Sequence, residues 1–166
     1  MSNESPEGSC PDFPPIVRAA LPVSSSSQGP GVRCQFLRDL DRARRSRVSK
    51  IDILDIEVVF RDARSPVLGV GIASGDSRSL RAAEQVVRAT GGRCAAHTLI
   101  VVAFAPGDMR NSEGRIAARP IYQRMNSDCF VCVGVIEDEQ LARGTIRVSA
   151  LIGRAGCRSP ITSTIL

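Results

Sequence analysis

Between Val67 and Gly91 the chain reads V-L-G-V-G-I-A-S-G-D-S-R-S-L-R-A-A-E-Q-V-V-R-A-T-G, and no other stretch restricts its fold as much. Val67 to Ala73 is a short apolar run, β-branched and punctuated by glycine, which is the pattern of a buried strand. The spacing predicts a helix over 77–90. Leu80, Ala83, Val86 and Val87 recur on one side, Asp76 or Ser77 stands where a cap belongs, and Gly91 falls where a left-handed C-terminal residue is wanted. A strand feeding a helix through a tight turn is the unit of an α/β domain. It contains no reaction centre.

The unit then repeats. Ala96 to Phe104 is a nearly continuous apolar run, which predicts an interior strand over 97–104. Pro106-Gly107-Asp108 is a turn, and Ile116, Ala117, Ile121 and Met125 mark a helix over 112–126 that Pro120 kinks or divides. Strands over 129–136 and 145–151 complete the series. In the last one, Ile146, Val148 and Ala150 alternate with Arg147 and Ser149, which predicts one buried face and one wet face. The expected fold class is α/β (α+β): a two-layer sandwich with a four-stranded mixed sheet in the order βαβαββ and two helices on one face. Helical crossovers make the first three strands parallel, and the short last connection sets the fourth antiparallel beside the third.

Upstream, Phe36, Leu37, Leu40, Ala43, Val48 and Ile51 recur at three- and four-residue spacing, which predicts a basic amphipathic helix across 33–50. That helix is the available cover for the sheet's other face. Residues 33–50 hold seven positive and two negative side chains, so the chain's formal charge of +5 is concentrated there. Arg42, Arg44, Arg45 and Arg47 form a candidate anion patch for nucleic acid, a membrane surface or an acidic protein; the plainer reading is a solvated arginine face. The segment 51–60, ending in Val58-Val59-Phe60, reads as a strand. Residues 1–32, rich in proline and serine, read as a disordered lead-in, 51–154 as the folded domain and 155–166 as a tail.

No apolar run approaches the length of a membrane span, and Glu4 and Glu7 precede any apolar segment, so the expectation is a cytoplasmic chain with no secretory leader. Six cysteines lack a framework spacing. Cys129 and Cys132 form a C-x-x-C inside a strand, where residues three apart face opposite ways, and His97 is the sole histidine. Neither a metal nor a cofactor is expected. Without a nucleophile, base and acid that can be assembled, a small enzyme on this scaffold is disfavoured.

The stretch from Gly69 resembles G-x-G-x-A-x-G-x-x-R-x-x-x-A-A-E-x-A, which opens the C-terminal domain of the bacterial tubulin-like division protein family FtsZ. Gly69, Gly71, Ala73, Gly75, Arg78 and the Ala82-Ala83-Glu84 triplet all fall in place. Thr98–Gly107 resembles that domain's next strand, Phe130–Asp138 its I-I-F-G-x-x-x-D strand and Gly144–Gly153 its closing strand, so the likeness runs from about Glu57 to Arg154.

The resemblance implies a free-standing relative of that domain, without the domain that binds GTP. The family's G-G-G-T-G-T-G phosphate loop is absent, and Gly69, Gly71 and Gly75 are spaced one residue too long for a dinucleotide fingerprint. The family's acidic loop, N-x-D-F-A-D-V-R, overlays Glu57–Arg64 with Phe60, Asp62 and Arg64 matching and an acid replaced by Val59. About seven residues, roughly two turns of helix, are then missing after Arg64. The resemblance thus implies a non-catalytic module that binds protein, an FtsZ-type filament or a copy of itself, through Glu57, Phe60, Asp62 and Arg64. The alternative class is an anion-binding module using the arginine helix. With the disfavoured small enzyme as a third, a degenerate gene product is the bland fourth reading.

Overall fold

The computed structural model of the protein describes residues 30–46, 51–62, 64–91, 95–124 and 129–154, together with Pro11, Phe13, Pro15 and Val17. In chain order the elements are α1 (Pro30–Arg45), α2 (Ile53–Asp62), β1 (Arg64–Ser74), α3 (Arg78–Ala89), β2 (Ala95–Phe104), α4 (Asn111–Tyr122), β3 (Phe130–Glu137) and β4 (Thr145–Arg154). The expected four-stranded mixed sheet forms, with α3 and α4 together on one face. The tail after Arg154 and positions 47–50 lie outside the described residues.

The order of the sheet is β1-β4-β2-β3, with β4 antiparallel to both β1 and β2, and β3 parallel to β2. The first three strands therefore point the same way, as the crossovers require. β4, however, lies between β1 and β2 and not beside β3. The connection from β3 crosses the end of β2, where the Asp138 amide donates to the Phe104 carbonyl at 2.8 Å. The residue pattern fits that position: both β2 and β4 are buried along most of their length, as interior strands covered on two faces must be.

Ala73, Ala82, Val86, Ile100, Val102, Phe104, Ile121, Ile146 and Val148 form the core under α3 and α4. Close approach of α3 depends on glycine. A Cβ on Gly71 would meet the Ala82 carbonyl oxygen at 2.0 Å. Neither Asp76 nor Ser77 caps this helix with its side chain; Ser77 sits at the cap position with φ 54° and makes no such bond. Gly91 adopts φ 70° beyond its end, as its position implies. α4 runs through Pro120 as one helix.

The opposite face is covered by α1 and α2, a third layer on the expected two. Phe36, Leu37, Leu40 and Ala43 of α1 pack with Ile56, Val59 and Phe60 of α2 onto Leu99, Val101, Ala103 and Leu151. Phe13 and Val17, within the expected lead-in, are buried in the same core. The segment 51–60 is thus helical and not a strand. Ile53, Ile56 and Phe60 recur every three or four residues and face the sheet, and that packing overrides the β preference of Val58-Val59-Phe60. The wet face expected for β4 is likewise buried: Arg147 is 6% exposed and Ser149 1%.

Candidate functional site

Three places concentrate polar chemistry. The first is the start of α2. Asp52 caps the helix: its Oδ1 accepts from the Leu54 amide at 3.1 Å, and Asp55 Oδ2 accepts from the Asp52 amide at 3.3 Å, two orphan donors satisfied reciprocally. Between the two acids, Leu54 is 64% exposed, the most exposed large apolar side chain described. Of the contact residues expected from sequence, Phe60 is 3% exposed and belongs to the core. Glu57 is half-buried one turn along α2, 4.0 Å from Arg61. Asp62 ends α2 and Arg64 begins β1 opposite Arg154; their side chains lie outside the described residues.

The helix exposes the acids that the sequence overlay passed over. The family's loop holds its two acids three residues apart, and so are Asp52 and Asp55. Moved from Glu57–Arg64 back onto Lys50–Glu57, the motif keeps both carboxylates, and the deletion of about seven residues disappears. The signal was in the sequence: a D-x-x-D at the right distance before Gly69.

The second place is the arginine face of α1. Arg42 Nη1 pairs with Asp138 at 2.8 Å, and Arg44 and Arg45 both pair with Asp41 at 3.0 Å. Arg47 lies outside the described residues. Beneath them Arg147 binds Asp39 and Asp138, so arginine and aspartate alternate from the surface inward. Burial pushes the Asp138 carboxyl up, but hydrogen bonds from Arg147, Arg42 and the Gln140 amide outweigh it and hold the group below the ordinary carboxylate range.

The third is a cleft of about 410 Å³ where the β1–α3 turn, the β2–α4 loop and the approach to β4 converge, lined by Gly75, Ser77, Arg78, Asp108, Arg110 and Glu113 among others. Arg78 is its centre: Nε and Nη2 donate to Glu113 at 2.9 and 2.7 Å, and Nη2 also reaches the Asp108 carbonyl at 3.2 Å. Asp108 in turn accepts from the Gly144 amide. Hydrogen bonding to Arg78 holds the Glu113 carboxyl low, against the opposing effect of burial. Arg78 is spent on tying three loops together, with its guanidinium 5.7 Å from the Phe104 ring. Among the described residues no cluster of His, Cys, Asp or Glu is arranged to hold a metal. Cys129 and Cys132 are not disulfide-bonded, and burial pushes the Cys132 thiol up to about 11, so it is not a thiolate near neutrality. Cys34 is disulfide-bonded.

No family model matches the chain. A cell division protein FtsZ from Bartonella bacilliformis is 32% identical over 105 residues, which is 61% of this chain but 18% of that protein. Among solved structures, a mutant FtsZ of M. jannaschii superposes with a TM-score of 0.66 at 20% identity, covering 74% of this chain and 38% of that one. A CetZ from Methanosaeta thermophila reaches 0.52 at 19% identity, covering 75% and 37%. The chain thus spans less than half the length of these relatives. The FtsZ superposition takes in about three quarters of the chain, and the described fold is of the C-terminal FtsZ/tubulin-like type.

Proposed function

We propose that this chain is a non-catalytic interaction module of an FtsZ-type cytoskeleton, docking on an FtsZ-type filament through the N-terminal end of α2. Leu54, an exposed apolar side chain flanked by Asp52 and Asp55 at a helix start, carries the reading. An apolar anchor rimmed by charge is the usual anatomy of a small docking site. Glu57, Asp62 and Arg64 lie further along the same segment and belong to its flank; Phe60 supports α2 from inside. Cell division enters through the FtsZ relative, and a cytoplasmic setting through the same likeness.

The chain's own residues contain no phosphate-cradling loop, so the module brings no GTP site of its own. The anion-binding alternative is weakened by geometry. Arg42, Arg44 and Arg45 each have a carboxylate partner, and a nucleic acid or anionic lipid would have to displace it.

Sedimentation of the purified chain with GTP-assembled FtsZ filaments tests the proposal. The chain is expected in the pellet with filaments and in the supernatant without them. A chain that stays in the supernatant at filament concentrations of tens of micromolar overturns it.

A further inference from the structure

β1 is an edge strand, and its outward row of main-chain groups is closed by side chains. Alternate residues of an edge strand turn both N–H and C=O away from the sheet. On β1 that row runs through Val70, Ile72 and Ser74. At Ile72 both groups are taken by one side chain of α3: the Ile72 amide donates to Gln85 Oε1 at 3.0 Å, and Gln85 Nε2 donates to the Ile72 carbonyl at 3.0 Å. Two residues on, the Arg81 guanidinium donates to the Ser74 carbonyl. At the other end, Pro66 has no amide to offer, and the pairing register slips between Arg64 and Val67. Side-chain closure, a proline and a register slip are thus collected on this one strand.

A carboxamide is the only neutral side-chain group that presents a donor and an acceptor side by side, as a peptide group does. The bond pattern also fixes its orientation, since only one flip satisfies Ile72 on both sides. Gln85 therefore occupies the place of a neighbouring strand. We propose that Gln85 is an edge guard, and that the edge it closes is a latent surface for a second copy of this chain, paired antiparallel β1 to β1. Self-pairing is the fit because an antiparallel pair about a two-fold axis matches each donor row with its own copy. Val70 and Ile72 supply β-branched side chains there, and Ile72, which alternates with the core residue Ala73 and so lies on the α1/α2 side of the sheet, is still 51% exposed.

Gln85→Met keeps the volume and the helix while removing both bonds. The full chain carrying Gln85→Met is expected to exchange its Ile72 amide at least about fivefold faster at low concentration. It is also expected to shift from the parent's sedimentation coefficient toward a dimer's as concentration rises. Adding Ile72→Lys, which places a charge beside the edge, is expected to return that double variant to the parent's sedimentation profile. Unchanged exchange at Ile72 in Gln85→Met, or association that Ile72→Lys leaves intact, overturns the proposal. So does a folded Gln85→Met chain, by circular dichroism, whose sedimentation matches the parent's at every concentration.

Discussion

Arg147 on β4 holds Asp39 on α1 through two parallel hydrogen bonds, Nε to Oδ2 at 2.9 Å and Nη2 to Oδ1 at 2.6 Å. Nη2 also reaches Asp138 Oδ2 at 2.6 Å, and Arg42 closes the chain from the surface. A cation in the middle of a sheet face costs desolvation, and this geometry offsets it by fixing α1 in one register against the sheet. Truncating one partner leaves the other charged and buried. Asp39→Ala and Arg147→Ala are each expected to lose about 3–5 kcal/mol in urea unfolding, and the double variant to lose far less than the sum. Additive losses would show that the pair does not act as a unit.

Acid should weaken the fold through Glu113 and Asp138. Both carboxyls are held below their ordinary values of 4.5 and 3.8, Glu113 chiefly by Arg78 and Asp138 by its hydrogen bonds against the pull of burial. A depressed folded-state value means a contribution that is present above the unfolded value and lost as pH falls through the folded one. Asp39 acts in the opposite direction. Burial raises its carboxyl above 3.8 despite Arg147, so its ionisation costs stability as pH climbs past that value. Unfolding free energy followed from about pH 6 to about pH 3, a window that spans the ordinary carboxylate values, is expected to decline on the acid side. Glu113→Gln should start lower and decline less; an identical slope would remove Glu113 from the account.

The glycines separate packing from propensity. A methyl group on Gly71 would meet main-chain oxygen at 2.0 Å and the Gln85 Cβ at 2.9 Å, and neither can retreat without moving α3. Gly71→Ala is expected to cost about 3 kcal/mol or more. Gly114 lies inside α4 with only Val135 Cγ2 near, at 3.4 Å. There Gly114→Ala is expected to gain about 0.5–1 kcal/mol from helix preference. Thermal melts are expected to move in opposite directions; a fall for Gly114→Ala or a rise for Gly71→Ala would overturn the argument for that position.

These contrasts also show what a sequence displays and what it hides. The four strands and helices α3 and α4 were legible because each carries its own apolar period. α2 was not, because its acids interrupt the period and Val58-Val59-Phe60 reads as extended until Leu99 and Leu151 are placed opposite it. The insertion of β4 between β1 and β2 is a long-range choice that no local pattern encodes. The same holds for Arg147, whose alternation with Ile146 and Val148 reads as a wet face until α1 brings Asp39 to it. The acidic pair at the head of α2 was hidden by alignment alone: matching Phe60 to the family's phenylalanine displaced the motif by two helical turns.

Docking at α2 and anion binding at α1 give opposite results under mutation. If the arginine face were the contact, attraction would be electrostatic, falling steeply with salt and vanishing in the Arg44→Gln, Arg45→Gln variant. Both arginines already share Asp41, so that variant should stay folded with little change in stability. If α2 is the contact, co-pelleting with FtsZ filaments should survive these changes and be lost in Leu54→Glu. Leu54 is the cleaner probe than Asp52 or Asp55, because either acid caps the helix and its loss costs about 1 kcal/mol of stability by itself. Leu54 is 64% exposed and supports nothing within the fold, so Leu54→Glu should match the parent in unfolding while changing the surface a partner meets. The opposite pattern, with pelleting lost in the arginine variant and kept in Leu54→Glu, would transfer the docking site to α1 and make the acids at the head of α2 a helix cap and nothing more.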